Sequence, residues 1–112
     1  MKYLLMVCVD ESLAATPEEI EAHIREVRSW AARMDERGVR VLGDRLRLAA
    51  DATTLRTQDG ELMVSDGPFA ETKEQMAGFD VLDCADLAEA IEVASQHPGV
   101  RRGTIELRPF WE

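Results

Sequence analysis

Most of the features that would assign this chain to a familiar functional class are missing. No apolar run approaches the roughly 20 residues of a membrane-spanning helix. The apolar opening at residues 1–7 meets Asp10 and Glu11 at once, too early for a secretory signal, so a cytoplasmic location is expected. There are only two cysteines, Cys8 and Cys84, both inside apolar runs and without CxxC spacing. That predicts free thiols packing as small hydrophobes. The two histidines are far apart and offer no ligand spacing, so no metal is expected; an oxygen-only site would have to draw on Asp66 and Glu71. No GxGxxG, GxxxxGK[ST] or GxSxG occurs, which removes dinucleotide, P-loop and serine-hydrolase chemistry and leaves no expected cofactor. Positive charge is the minority: 13 basic against 22 acidic residues give a net charge of −9, which repels phosphate backbones and disfavours nucleic acid as a direct partner. No repeat, low-complexity tract or Pro/Gly/Ser-rich linker divides the chain, so residues 1–112 read as a single domain.

What is present is an ordinary globular composition, 46% hydrophobic and 31% charged. A chain of this length buries about 65% of its unfolded surface and needs no staple. Residues 3–9 are continuously apolar, as in a strand covered on both faces. Thr16 and Pro17 then predict a helix start, with Glu19 completing a capping box. Its apolar stripe is Ile20, Ile24, Val27, Trp30, Ala31 and Met34, and Gly38 ends it. Residues 39–42 make a second strand, with Gly43 at a bend. Residues 53–57 and 62–65 flank Asp59-Gly60, a strong hairpin turn signal. A polar loop runs from residue 66 to about 75, followed by a strand through 79–82. Asp86 and Glu89 open a second helix whose buried face is expected at Leu87, Ala90, Ile91 and Ala94, and His97-Pro98-Gly99 stops it. The last strand, residues 103–108, points Ile105 and Leu107 inward.

This order predicts an α+β fold, a ferredoxin-like βαββαβ unit enlarged by a β-hairpin. Two helices cover one face of the sheet. The first strand is apolar at both alternations, so its second face would lie open as a large apolar patch. A homodimer joined through its sheet faces is the expected solution.

Loop 66–74 is the most distinctive stretch. Asp66, Gly67 and Pro68 carry turn chemistry, Phe69 is the expected apolar anchor, and Asp66, Glu71, Lys73 and Glu74 crowd four ionisable groups into nine positions. The run from Val64 through Gln75 resembles the signature of DGPF-domain proteins within the YCII-related family. The likeness extends to Lys2-Tyr3-Leu4-Leu5, Gly38-Val39, Pro98-Gly99-Val100 and the ending Glu106-Leu107-Arg108-Pro109-Phe110-Trp111. It implies a dimeric α/β barrel of ferredoxin-like protomers, a bacterial regulatory setting beside extracytoplasmic-function sigma factors, and no assigned reaction for most members. Relatives proposed as enzymes use a His–Asp pair; their helix-one histidine falls nearer Val27 than His23, and their acidic residue has its counterpart in Asp35.

Two functional expectations follow. The first is a small-molecule pocket beside loop 66–74, with Gly67, Pro68 and Phe69 as ligand contacts. Asp66, Glu71, Lys73 and His23 are its candidate catalytic groups: paired carboxylates serve as acid and base when their environments differ, Lys73 holds an anion, and a histidine titrates near neutrality. The alternative is a non-catalytic regulatory module meeting a protein partner such as a sigma factor through its acidic surface. His97, at a helix C-terminus, is expected as a protonated cap.

Overall fold

The computed structural model describes Met1–Glu112. Helix α1 (Pro17–Glu36) starts where the capping chemistry places it: Thr16 Oγ1 accepts a hydrogen bond from Glu19 N at 3.1 Å, and Pro17 occupies the first turn. Glu19 does not return the bond; its carboxylate faces Arg102 at 3.8 Å. Gly38 follows the helix with φ +75°, and its N–H bonds Asp35 O at 3.0 Å. Helix α2 (Leu87–Ser95) is capped by Asp86 Oδ1, which accepts from Glu89 N at 2.9 Å, while Glu89 reaches back to Ala85 N at 2.8 Å.

Strands β1 (Lys2–Val9), β2 (Arg40–Arg45), β5 (Gln75–Asp83) and β6 (Thr104–Pro109) form one sheet in the order β2-β5-β1-β6, every neighbour antiparallel. The connections β1-α1-β2 and β5-α2-β6 each skip one strand, so the two units interleave; this is the expected ferredoxin-like arrangement. Strands β3 (Thr53–Gln58) and β4 (Glu61–Asp66) make the inserted hairpin as a separate two-stranded sheet. Its turn residues Asp59 and Gly60 both have positive φ, at 50° and 80°, the geometry a two-residue hairpin needs. A 3-10 turn (Ala49–Asp51) and a short helix α3 (Gly99–Arg102) also form.

Both helices lie on one face of the sheet. Tyr3, Leu5 and Val7 of β1 and Leu82 of β5 meet Trp30 and Met34 of α1 and Ala90, Val93 and Ala94 of α2. Trp30 is fully buried and its indole N–H donates to Val93 O at 3.0 Å, so one side chain joins the two helices. The buried face of α2 differs from the expectation. Leu87 and Ile91 are 51% and 53% exposed, and the helix instead turns Ala90, Val93 and Ala94 into the cluster that holds Trp30.

His97 also departs from its expected role. It is not an exposed, protonated cap: the His97-Pro98-Gly99 turn folds the ring inward, edge-on to Trp30 at 4.6 Å, and Nδ1 accepts from Gly99 N at 2.8 Å. An accepting Nδ1 requires the neutral ring. Burial, with the charge of His23 second, pushes the His97 pKa down to about 4. The unfolded chain therefore binds more protons between about pH 6.5 and 4, and the fold loses stability as pH falls through that window. Urea unfolding at pH 7 and pH 4.5 is expected to reveal up to about 3 kcal/mol of this loss, with His97→Gln flattening the difference between the two pH values. A histidine variant with the same pH slope as the native chain would contradict it.

The other sheet face has no cover within the chain. Leu4, Met6 and Cys8 lie there in register with Val81, Phe79 and Met76, and Leu42 is 51% exposed beside them. Glu106 and Arg108, paired to each other, border this patch on β6. Cys8 and the buried Cys84 are free thiols. The molecule is a slab of 47 × 42 × 19 Å with a radius of gyration of 15.8 Å, against the ~13 Å of a compact domain this long. Only 16 of 112 residues are buried, so one helix–sheet contact holds most of the interior.

Candidate functional site

Sheet pairing assembles the candidate site. Val9 at the end of β1 pairs with Gln75 at the start of β5, and Leu46, just past β2, donates to Ala77 O at 2.8 Å. The segments leaving β1 and β2 and the loop entering β5 therefore meet at one end of the sheet. Between them lies a cleft of about 590 Å³, lined by Asp10, Glu11 and Ser12 on one side and by Pro68, Glu71, Thr72, Lys73 and Gln75 on the other, with Ala49 and Ala50 between.

Each wall is fixed by its own hydrogen bonds. Asp10 closes an Asx-type turn, its Oδ1 accepting from Ser12 N at 3.0 Å and Ser12 Oγ at 2.6 Å. These bonds, and the Lys73 ammonium across the cleft, hold the Asp10 carboxyl below the usual carboxylate range. Glu11 accepts from Ala49 N at 3.0 and 3.3 Å and so ties the β1–α1 connection to the 3-10 turn. On the facing wall, Gly67 has φ +92°; its N–H donates to Ala52 O at 2.7 Å and its carbonyl accepts from Thr54 Oγ1 at 2.7 Å. Thr72 Oγ1 donates to Glu74 O at 2.6 Å, and Gln75 Nε2 donates to Thr72 O at 3.1 Å. Thr104 Oγ1 donates to Glu74 Oε1 at 3.0 Å, anchoring the loop's end to β6. Lys73 and Glu71 form no ion pair, which leaves a free ammonium and a free carboxylate over the cleft.

Of the residues singled out from the sequence, the fold brings Pro68, Glu71 and Lys73 to this cleft and leaves Asp66, Gly67, Phe69 and His23 outside its lining. Asp66 is the exposed last residue of β4. Gly67 shapes the turn behind the wall. Phe69 is no anchor: it is 76% exposed, since the backbone bonds of Gly67 pin the loop without it, and its carbonyl accepts from Arg56 Nη2 at 3.3 Å. His23 sits half-buried on α1, where burial, and after it Arg102, lowers its pKa. It forms no dyad with Asp35. The two are twelve positions apart on one helix, about 18 Å along the axis, and Asp35 instead accepts from Arg40 Nη1 at 3.0 and 3.2 Å. The reading from sequence missed Asp10, Glu11 and Ser12, although an Asp two residues before a Ser at a strand end is itself a turn signal.

A second hollow of about 290 Å³ between the ends of α1 and α2 is less suited to a ligand, because Arg37 there is already bidentate to Glu92 at 2.7 and 3.2 Å. Burial raises Cys8 and Cys84, so neither thiol is an activated nucleophile. No group of three or more His, Cys, Asp or Glu side chains converges in metal-binding geometry. No helix is long and apolar enough to cross a membrane.

An uncharacterized protein of Rhizobium meliloti (strain 1021) is 38% identical over 114 residues, which span 98% of this chain and 92% of that protein. The profile of the YCII-related domain matches residues 1–112, and the chain belongs to the YCII-related family.

Proposed function

We propose that the protein is a homodimer that binds a small zwitterionic or cationic molecule in the cleft beside loop 66–74. The observation that carries this reading is the unpaired Lys73 ammonium facing the ionised Asp10 carboxylate across a 590 Å³ cleft. Three carboxylates against one ammonium favour a ligand with an amino group, and Lys73 supplies a partner for an acid group on the same molecule. Binding suits these groups better than proton transfer. A general base works best with a pKa near the operating pH, whereas Asp10 is held lower still than an ordinary carboxyl, and neither histidine lines the cleft.

The dimer reading rests on the open sheet face. Leu4, Met6, Phe79 and Val81 form an apolar centre with a self-compensating Glu106–Arg108 pair at its border. Four apolar side chains at the centre of one sheet face make a contiguous patch that water would otherwise have to solvate. A two-fold axis over this face covers both copies in one step.

Thermal-shift screening with free amino acids, polyamines and sugar acids tests the binding reading. A ligand at a hundred times its dissociation constant adds about 2.7 kcal/mol of stability. Lys73→Met is expected to weaken a zwitterionic hit about tenfold or more, and Glu71→Gln to weaken amine hits selectively. A screen without hits, or hits indifferent to both variants, would remove the cleft as the binding site.

A further inference from the structure

We propose that the surface where α1, α3 and β2 meet is an oxyanion site, in which Arg45, Arg102 and His23 hold a phosphate or sulfate group. Three elements bring these side chains together. Glu19, His23 and Glu26 fall at spacings of four and three on α1 and so share one face of that helix. Helix α3 lies along this face: Arg102 Nη2 stands 3.8 Å from Glu19 Oε2, and Arg101 Nη2 bonds Glu26 Oε2 at 2.7 Å. The two arginines therefore bracket His23. Arg45 approaches from the sheet. It pairs with Gly78, which pairs with the buried Val7, so Arg45 leaves β2 on the helix-covered side. The charges of Arg102, Arg101 and Arg45 all act on the His23 ring, with Glu26 opposing them.

Space and unmet polarity accompany this gathering of charge. Gly78 leaves the floor between Arg45 and Val7 without a side chain. A Cβ there would meet the β2 backbone first, Asp44 O at 3.1 Å and Arg45 Cα at 3.7 Å, and no helix atom comes closer. His23 is half-buried, yet neither ring nitrogen makes a hydrogen bond and neither is sealed from solvent. Charge selects the ligand. Glu26 neutralises Arg101, but Glu19 meets Arg102 only at 3.8 Å, and Arg45 forms no ion pair. Asp44 beside it points to the opposite sheet face with Phe79. The local excess is thus positive in a chain of net charge −9. Holding like charges together costs free energy that a bound anion offsets. One guanidinium fork satisfies a carboxylate, whereas donors converging from three elements suit the several oxygens of a tetrahedral dianion. Protonated His23 adds a further positive donor, so binding strengthens as pH falls through the titration of that ring. His97, the other imidazole near it, accepts from Gly99 N and stays neutral above about pH 4. None of these residues lines the cleft beside loop 66–74.

Isothermal titration calorimetry at low ionic strength tests the site with inorganic sulfate, inorganic phosphate and glycerol phosphate. Sulfate, whose charge is constant with pH, is expected to bind saturably and more tightly at pH 6 than at pH 8. Arg45→Met and Arg102→Met should each weaken it about tenfold, and His23→Gln should remove the pH dependence. Arg33→Met, ten positions after His23 on α1 and about 15 Å along the axis, removes the same charge elsewhere. It is expected to change binding less than about twofold. In NMR spectra the His23 ring should titrate at higher pH when sulfate is present, a response that a purely structural histidine would not give. Glycerol phosphate binding tighter than both free ions assigns the site to a phosphomonoester, and equal affinities assign it to the free ion. Circular dichroism checks folding, and Arg45→Met on the exposed sheet edge decides the matter if Arg102→Met proves unstable. No saturable heat with any of the three anions overturns the site. Equal weakening by Arg33→Met and Arg45→Met also overturns it, because net charge alone would then explain the binding.

Discussion

Trp30→Ala is expected to cost about 3–5 kcal/mol, the range for removing a fully buried large aromatic side chain. Three losses converge at this position. The indole fills the seam where α1 crosses α2, its N–H leaves Val93 O without its 3.0 Å partner, and the edge of His97 loses the ring it packs against. Whole-domain stability is typically 5–15 kcal/mol, so the variant should be partly unfolded near physiological temperature. Urea unfolding followed by far-ultraviolet circular dichroism measures the loss without relying on tryptophan fluorescence. Trp30→Phe keeps most of the ring and removes only the N–H, and is expected to cost about 1–3 kcal/mol. A loss under 1 kcal/mol for the alanine variant would mean that the helices hold together by other contacts.

The helix and strand order was legible because local chemistry and global packing agree along most of the chain. The cap at Thr16 and Pro17, the stop at Gly38 and the Asp59-Gly60 turn each act within a few residues, and each forms where its chemistry directs. Helix α2 was harder. Its sequence is apolar on almost every side, with Leu87, Ala88, Ala90, Ile91, Val93 and Ala94, so periodicity cannot choose a face. The face that is buried joins the cluster of Trp30, sixty residues away, whose indole N–H bonds Val93 O. His97 fails for a related reason: a histidine after a helix suggests a solvated cap, but the Pro98-Gly99 turn that buries it is a tertiary feature, and a side chain on Gly99 would meet Val7 at 2.8 Å.

Half of the candidate site could be read in advance, the loop that carries Glu71 and Lys73. The other half, Asp10 to Ser12, joins it only because β1 pairs with β5 across more than sixty residues, a register no local signal fixes. Phe69 shows the opposite error. An aromatic in a polar loop suggests an anchor, yet hydrogen bonds to the backbone of Gly67 and Phe69, from Thr54 and Arg56 among others, hold this turn and the ring stays outside.

The pair Arg40 and Asp80 shows what long-range register adds to stability, and Arg40→Met is expected to cost about 3–5 kcal/mol at neutral pH. Asp80 shares the alternation of Leu82, so it points into the helix-covered layer and is only 6% exposed. Arg40 Nε meets its Oδ1 at 2.7 Å, and the same guanidinium bonds Gly43 O at 3.0 Å and Asp35 at the surface. Gly43 is glycine because a Cβ there would fall 2.0 Å from the Asp80 carboxylate. Burial raises the Asp80 pKa, and Arg40 opposes that rise. Without Arg40 the folded-state pKa climbs further above the unfolded value. The folded variant then binds more protons than the unfolded chain, so its penalty is largest above the folded pKa and shrinks as acid protonates Asp80. Urea unfolding of the variant against the native chain at pH 7 and pH 4.5 should show the gap narrowing in acid. Adding Asp80→Asn should recover most of the loss at pH 7, since it removes the stranded charge. A pH-independent penalty, or one below 1 kcal/mol, would show that water reaches Asp80 once the arginine is gone and that the pair contributes little to holding β2 against β5.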